Sequence, residues 1–422
     1  MIKEKIYYYL SIETLSPLAI GNGSNDLTDH DLVRDNNGDV FIPATSLAGV
    51  FVHSLTEEES KVILKEKVLS KDKESRKILS PMFVSDATLK EGTTYTTSIR
   101  NGVILTEDKV TEDGAKYDIE IVEKGLKLDF RIELTVREDD DSLVMKEIIN
   151  KIISNLNKGN IVLGLKSKRG FGKVKVVESY IKEFASSDLD KLLEFDKYNS
   201  SEYDNYEIKE VTDTKYDLIE VSLKQLGGIS IKSYSAKAFD VDFEHIKSNG
   251  VPVIPGMSYG GFIRKQVEYY NKLLGKDDNY TNNWFGYVEK GSKVSISSKI
   301  IINESVINNS KEITITRNKI DRFSGGSADS ALFSERVQFN GETDLTIRVP
   351  KYIRVDEKQI SNKYILGLLA LTIKDIDNGF IALGGQTSIG RGLFKVMKVK
   401  MNDKEVDLDN LINEMNMEAE NE

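Results

Sequence analysis

Lys166, Lys168, Arg169, Lys173 and Lys175 crowd a glycine-rich stretch, LGLKSKRGFGKVKV from Leu163, in which Gly164, Gly170 and Gly172 follow a G-x5-G-x-G spacing. Glycine has no Cβ, so backbone N–H groups of such a loop can meet an anion closely, and the neighbouring cations favour a phosphate there. The stretch LGGQTSIGRGLFKV from Leu383 repeats the spacing with Gly384, Gly390 and Gly392 and carries Arg391, Lys395 and Lys398. A second chemistry belongs to Asp26, Asp29, Asp31 and Asp35, carboxylates that can hold a divalent cation or accept a proton. The plainer readings are a tight glycine turn with solvated lysines, and an Asp-rich turn. The three histidines, His30, His53 and His245, add candidate acid–base groups, although His53 reads as structural. With no Cys, thiolate catalysis, disulfides, zinc ribbons and iron–sulfur clusters are excluded.

The elements that position these residues occur twice. FIPATSLAG from Phe41 and VIPGMSYGG from Val253 superimpose Pro43 on Pro255, Ser46 on Ser258 and Gly49 on Gly261 at an offset of 212. The glycine-rich stretches match at an offset of 220, so a small insertion separates the anchors. Between them each half runs from Arg-Asn through a polar, Gly-bearing segment into an alternating strand. A duplication of this kind decides the architecture before any single element does.

Residues 5–13 and 216–224 alternate like strands, as does the start MIKEKIYYYLSIETLSPL, which lacks the uncharged core of an export signal. Tyr7, Tyr8 and Tyr9 belong there to core and cross-strand positions rather than to base stacking. Thr45 or Ser46, and Ser258, are placed to N-cap a following helix. Residues 143–157 carry helical apolar spacing up to Lys158-Gly159-Asn160, and 361–374 occupy the matching position in the second half. The order β-α-β-β-α-β is ferredoxin-like (RRM-like), an α+β fold. We place the first domain at 1–185, a polar linker at 186–214, the second domain at 215–402 and an acidic, frayed tail at 403–422.

The 39% hydrophobic and 30% charged content is that of a folding globular chain, and apolar runs stay well short of a membrane span. A cytoplasmic protein with no membrane partner is expected. The net charge of −10 opposes wholesale coating of nucleic acid, so any such site must be local.

I-P-x-x-S-x-x-G before the first helix, RNKIDRFSGGSADSALFSE from Arg317 to Glu335, and the late glycine-rich loop together resemble the RAMP (repeat-associated mysterious protein) superfamily, specifically the backbone subunits of type III CRISPR effectors. The likeness covers both halves, as in the fused subunits of type III-D-like systems. It implies a thumb-like hairpin at about 100–125 and 317–341, with Asn318, Lys319 and Arg322 near RNA. It also implies RNA contacts from Ser46, Ser258 and both glycine loops.

In the family the cutting residue is an Asp five positions ahead of an Arg-Asp pair; Arg34-Asp35 supplies the pair here, which selects Asp29. In the second half, counting forward from Ile231 selects Asp240, while counting back from Lys247 selects Asp242, and Lys247-Ser248 replaces the pair. Of the basic positions expected early in the first helix, Ala48, Val52 and Gly260 depart and only Arg264 remains. The resemblance thus implies a magnesium-dependent, RNA-guided endoribonuclease acting with guide RNA, single-stranded target RNA and neighbouring protein subunits. The other readings are a non-cutting scaffold or capping subunit, and a guide-processing ribonuclease using His30.

Overall fold

A computed structural model of the chain describes residues 1–21, 29–65, 79–105, 111–211, 215–234, 240–288, 295–355 and 358–419. Two compact units emerge, Met1–Ser167 with Phe171–Asp213, and Lys168–Gly170 with Thr214–Glu422.

The first unit is built from β1 (Ile2–Thr14), α1 (Ala44–Ser54), β2 (Met82–Val84), β3 (Lys127–Arg137), α2 (Ser142–Lys158) and β4 (Val174–Ala185). Its antiparallel sheet has the order β4-β1-β3-β2, the ferredoxin-like arrangement. Period-two alternation sends Ile6, Tyr8, Leu10 and Ile12 of β1 and Leu128, Phe130, Ile132 and Leu134 of β3 into one core, each at most 1% exposed. The core meets Ile148, Ile149, Ile152 and Ile153 of α2. Asp141 accepts from the N–H groups of Leu143 (2.9 Å) and Val144 (3.3 Å) to start that helix, and Gly159, at φ +68°, ends it where the sequence predicts.

The second unit repeats the plan with β5 (Tyr216–Leu226), α3 (Gly256–Leu273), β6 (Ile301–Ile302), β7 (Glu342–Pro350), α4 (Lys363–Asp377) and β8 (Leu393–Met401), in the order β8-β5-β7-β6. The protein is therefore α+β, with two tandem ferredoxin-like units. A hairpin is inserted before the third strand of each: Thr97–Leu105 with Thr111–Val122, and Lys311–Ile320 with Ser327–Phe339. Both begin a few residues earlier than the family resemblance implies.

Three expectations change. The helices α1 and α3 begin directly after Pro43 and Pro255, so Thr45, Ser46 and Ser258 lie inside the first turn and do not cap; Asp86 accepts from the Ala44 N–H instead, at 2.6 Å. The segment from 186 to 211 is no linker but part of the first unit. Its Phe195 and Tyr203 pack with Tyr7, Tyr9 and Phe184 on the sheet face away from the helices, and Lys209 exchanges hydrogen bonds with the Asn150 amide. A handful of aromatics in a polar stretch has no periodicity, yet suffices to cover a sheet face.

The described part of the tail, 403–419, packs onto the second unit too. Helix α5 (Leu408–Ala419) buries Leu411 and Met415, and Gly367 of α4 leaves the space that Met415 fills.

His245 is wholly buried, accepting at Nδ1 from the Ile231 N–H (3.2 Å) and bonding through Nε2 to the Val253 carbonyl (2.9 Å). Burial pushes its pKa down to about 4, below its unfolded value. The unfolded chain therefore binds the proton first, and the contribution, complete above about pH 6.5, is lost as pH falls towards 4, on the order of 3 kcal/mol. Acid titration of thermal unfolding should show this loss, and His245→Ala, though less stable at neutral pH, should flatten that branch of the curve.

Candidate cutting centres and nucleic-acid interface

In the first unit the chain beyond β1 returns along the hairpin. The Asp29 N–H donates to the Asp118 carbonyl (3.0 Å), and the Asp118 N–H donates back to Asp29 Oδ2 (2.9 Å). His30 then pairs parallel with Ile119, and the Glu120 N–H donates to the His30 carbonyl at 2.9 Å. One oxygen of Asp29 is thereby fixed while the residue stays exposed; its other oxygen accepts nothing from the described residues. Arg34 reaches from the same loop to Glu120 (2.7 Å) and to the Gly38 carbonyl (3.1 Å). Asp35 accepts from the Asn37 and Asp39 N–H groups, both at 2.9 Å, and shapes a turn. Asp26 lies outside the described residues.

The second unit repeats this bonding at Asp242. Its N–H donates to the Ser334 carbonyl (3.0 Å), the Ser334 N–H donates back to Asp242 Oδ2 (2.8 Å), and Phe243 pairs parallel with Glu335. Asp242 is accordingly the counterpart of Asp29. Asp240 is held differently, in a two-pronged ion pair with Arg336. His30 adjoins Asp29, His53 ends α1 on the surface, and buried His245 bonds away from Asp242.

The glycine loops are nearly the same structure twice. The Leu163 and Leu383 N–H groups donate to the Gly172 and Gly392 carbonyls (both 2.9 Å), and the Gly172 and Gly392 N–H groups donate to the carbonyls of Pro17 (2.7 Å) and Gly228 (2.8 Å). Those two amides are spent inside the fold, so a phosphate at either loop would have to be met by its other groups. The glycines serve a close backbone crossing: at φ +74° and +78°, a Cβ on Gly172 or Gly392 would run into the carbonyl of Leu163 or Leu383. Gly164 and Gly384 also have positive φ and face the Ala19 and Ser230 carbonyls. Gly390 alone among these six faces open space, while Gly170 abuts backbone at Glu304.

Several predicted cations are engaged in the same way. Arg391 is 5% exposed and pairs with Glu335 at 2.9 Å. Arg264 spends its guanidinium on Glu268 (2.7 Å), the Gly286 carbonyl and Asn282 (both 2.8 Å). Lys168 and Arg169 belong by their contacts to the second unit; burial, with help from Lys299, lowers the Lys168 pKa, and Arg169 donates to the Phe285 carbonyl at 3.3 Å. Lys173 is half-buried, its N–H on Ser16 Oγ (2.9 Å). Lys166, in the left-handed region, sets its ammonium 4.6 Å from the Tyr117 ring.

Basic residues do stand open on the second hairpin. Lys319 and Arg322 are exposed and pair with no carboxylate among the described residues; Asn318 donates to Ser327 Oγ at 2.7 Å. Between them and the Gly325-Gly326 turn, Phe323 is fully exposed, a residue the sequence reading left unremarked although an aromatic beside Arg at a Ser-Gly-Gly turn was the available signal. Asp321 fixes this turn by accepting from the N–H groups of Phe323 (2.9 Å) and Ser324 (2.7 Å), bonds that hold its pKa down.

Two ferredoxin-like units, each with an inserted hairpin and an exposed Asp pinned to its return strand, define a tandem domain protein of one repeated design. The family described as "RAMPs: RAMP superfamily" matches residues 11–175 and 231–395, and the chain belongs to that superfamily. No curated protein matches the chain. Among the described residues no helix is long and apolar enough to cross a membrane.

The packing role of the glycines has a direct test. Gly172→Ala and Gly392→Ala should each cost about 2 kcal/mol or more, against roughly 1 kcal/mol for Gly390→Ala, where only the positive φ opposes a side chain. Denaturant melts of the three variants supply the comparison.

Proposed function

We propose that this chain is a guide-RNA-binding backbone subunit of a type III CRISPR effector, of the fused III-D-like kind, and that it cuts complementary target RNA at Asp29 and at Asp242. One observation carries the reading: an exposed carboxylate, locked by the same reciprocal pair of hydrogen bonds to the same hairpin position, occurs once in each RAMP unit. A carboxylate so fixed suits proton abstraction from a ribose 2′-hydroxyl, whose oxygen then attacks the adjacent phosphorus and expels the 5′-oxygen of the next nucleotide. The reciprocal bonds fix the carboxylate's orientation, and the hairpin beside it holds the strand in place.

Mg2+ is the cofactor in this reading. Among the described residues no three His, Asp or Glu side chains converge on a metal position. That donor set still fits Mg2+, which commonly takes one or two carboxylates and completes its shell with water and substrate phosphate; Asp29 and Asp242 would each hold it. When bound, the ion supplies neutralisation of charge on the phosphate.

The RNA grip falls to the hairpins, with Asn318, Lys319, Arg322 and Phe323 in the second unit, since Arg264 and Arg391 are engaged internally. Guide RNA, target single-stranded RNA and adjacent effector subunits are the partners, in the cytoplasm. The internal engagement of those arginines also favours a second reading, a scaffold that spaces the complex without cutting.

Chain purified with its neighbouring subunits should carry uniform small RNAs sharing a repeat-derived end. Asp29→Ala and Asp242→Ala should each remove one cleavage position, by about 10²-fold or more in rate, with target binding retained. Persistence of every cut selects the scaffold, and metal-free cleavage of repeat RNA by the isolated chain, lost in His30→Ala, selects guide processing.

A further inference from the structure

The two aspartate loops are anchored by ion pairs of opposite polarity at one equivalent position. Two residues beyond the strand residue that grips the aspartate stands Glu120 in the first unit and Arg336 in the second. Residues two apart on a strand are equivalent in the pleat, and the side chains of Glu120 and Arg336 both reach the loop, to Arg34 and to Asp240. Glu120 takes Arg34 from the loop and also accepts from the Leu32 N–H at 3.2 Å. Arg336 takes Asp240, with one bond at 2.9 Å and a second, shorter one, while Asp240 Oδ1 also accepts from the Val241 N–H at 2.8 Å.

Both pairs are partly shielded: side-chain exposure is 34% and 21% for Arg34 and Glu120, and 28% and 18% for Arg336 and Asp240. The bidentate form adds directional rigidity that a point charge lacks.

We propose that Arg34–Glu120 and Asp240–Arg336 are matched clamps that hold the loops of Asp29 and Asp242 against the hairpin, and that Asp240 is a positioning residue with no part in the chemistry. The cutting role of Asp29 and Asp242 comes from the reading above; the clamp itself does not depend on it. Polarity is fixed by the surroundings. Arg336 also faces Glu244 (3.8 Å) and Glu312 (3.9 Å), and Lys247 is the further cation, 2.7 Å from Glu312 and 3.5 Å from Glu244. A glutamate at 336, copied from the first unit, would face three carboxylates.

Hydrogen exchange read by mass spectrometry on the full chain tests the clamp without requiring cleavage. The reporters are peptides covering 240–246 and 332–337, which carry the reciprocal Asp242–Ser334 bonds. Asp240→Asn and Arg336→Gln should speed exchange there roughly five- to tenfold, Arg336→Glu should exceed both, and the swap Asp240→Arg with Arg336→Asp should return only part of the protection that Arg336→Glu loses, because Glu244 and Glu312 stay beside the acid at 336. Peptides around Asp29 and Asp118 should not respond, and should respond in turn to Arg34→Gln and Glu120→Gln.

Unchanged exchange in Asp240→Asn, or no recovery in a swap variant that melts like the parent, overturns the clamp. In the assembled complex, single-turnover cleavage gives the second arm: Asp240→Asn should slow one cut about tenfold with target affinity unchanged, and the swap should cut faster than Arg336→Glu. Slowing as deep as that of Asp242→Ala, without rescue, would make Asp240 a cutting residue. A parent complex that cuts nothing would count against the proposed activity alone, because the exchange result stands on its own.

Discussion

The return strand of each inserted hairpin is the piece on which the functional loops converge. In the second unit its Glu335 is 1% exposed and receives Arg317, Arg391 (2.9 Å) and Gln386 (3.1 Å). A buried carboxylate is tolerated only when paired and hydrogen-bonded, so this side chain ties the outgoing strand, the return strand and the glycine loop into one unit. Next to it on the same strand, Ser334 holds Asp242. Displacing any of these elements would leave a charge buried without partners, which costs far more than the exposed ion pairs elsewhere on the surface return.

The first unit reaches the same geometry by other means. Ile119, fully buried, stands where the second unit has Glu335, and the glycine loop meets the strand through Lys166 over Tyr117. Apolar packing replaces an ion network while the backbone path is kept. The duplicated halves thus share hydrogen bonds that fix main chain and differ in the side chains that reinforce them. A family signature written in side chains alone weakens over such positions.

The distribution of cations follows from the same frame. A chain of net charge −10 has little to spare for bulk attraction to RNA, and Arg264 and Arg391 are absorbed by internal partners. Among the described residues, the second hairpin keeps Lys319 and Arg322 exposed beside Phe323, on a turn that Asp321 fixes. Under the proposed function, local charge on a hairpin, rather than a basic surface, is what would meet the RNA.

The sequence by itself determined the duplication, the order of elements and the glycines that demand special backbone, because alternation, helical spacing and positive-φ positions are local properties. It also singled out Asp29, through spacing to Arg34-Asp35 and the family likeness. Only the tertiary structure shows that Asp242, not Asp240, repeats the bonding of Asp29, since that rests on which groups of a strand nearly a hundred residues away meet which carboxylate. It likewise decided that the amides of Gly172 and Gly392 bond within the fold, and that Arg264 and Arg391 pair internally. Residue type states what a group can bond to; only the folded chain settles which partner arrives first, and a buried partner is not given up.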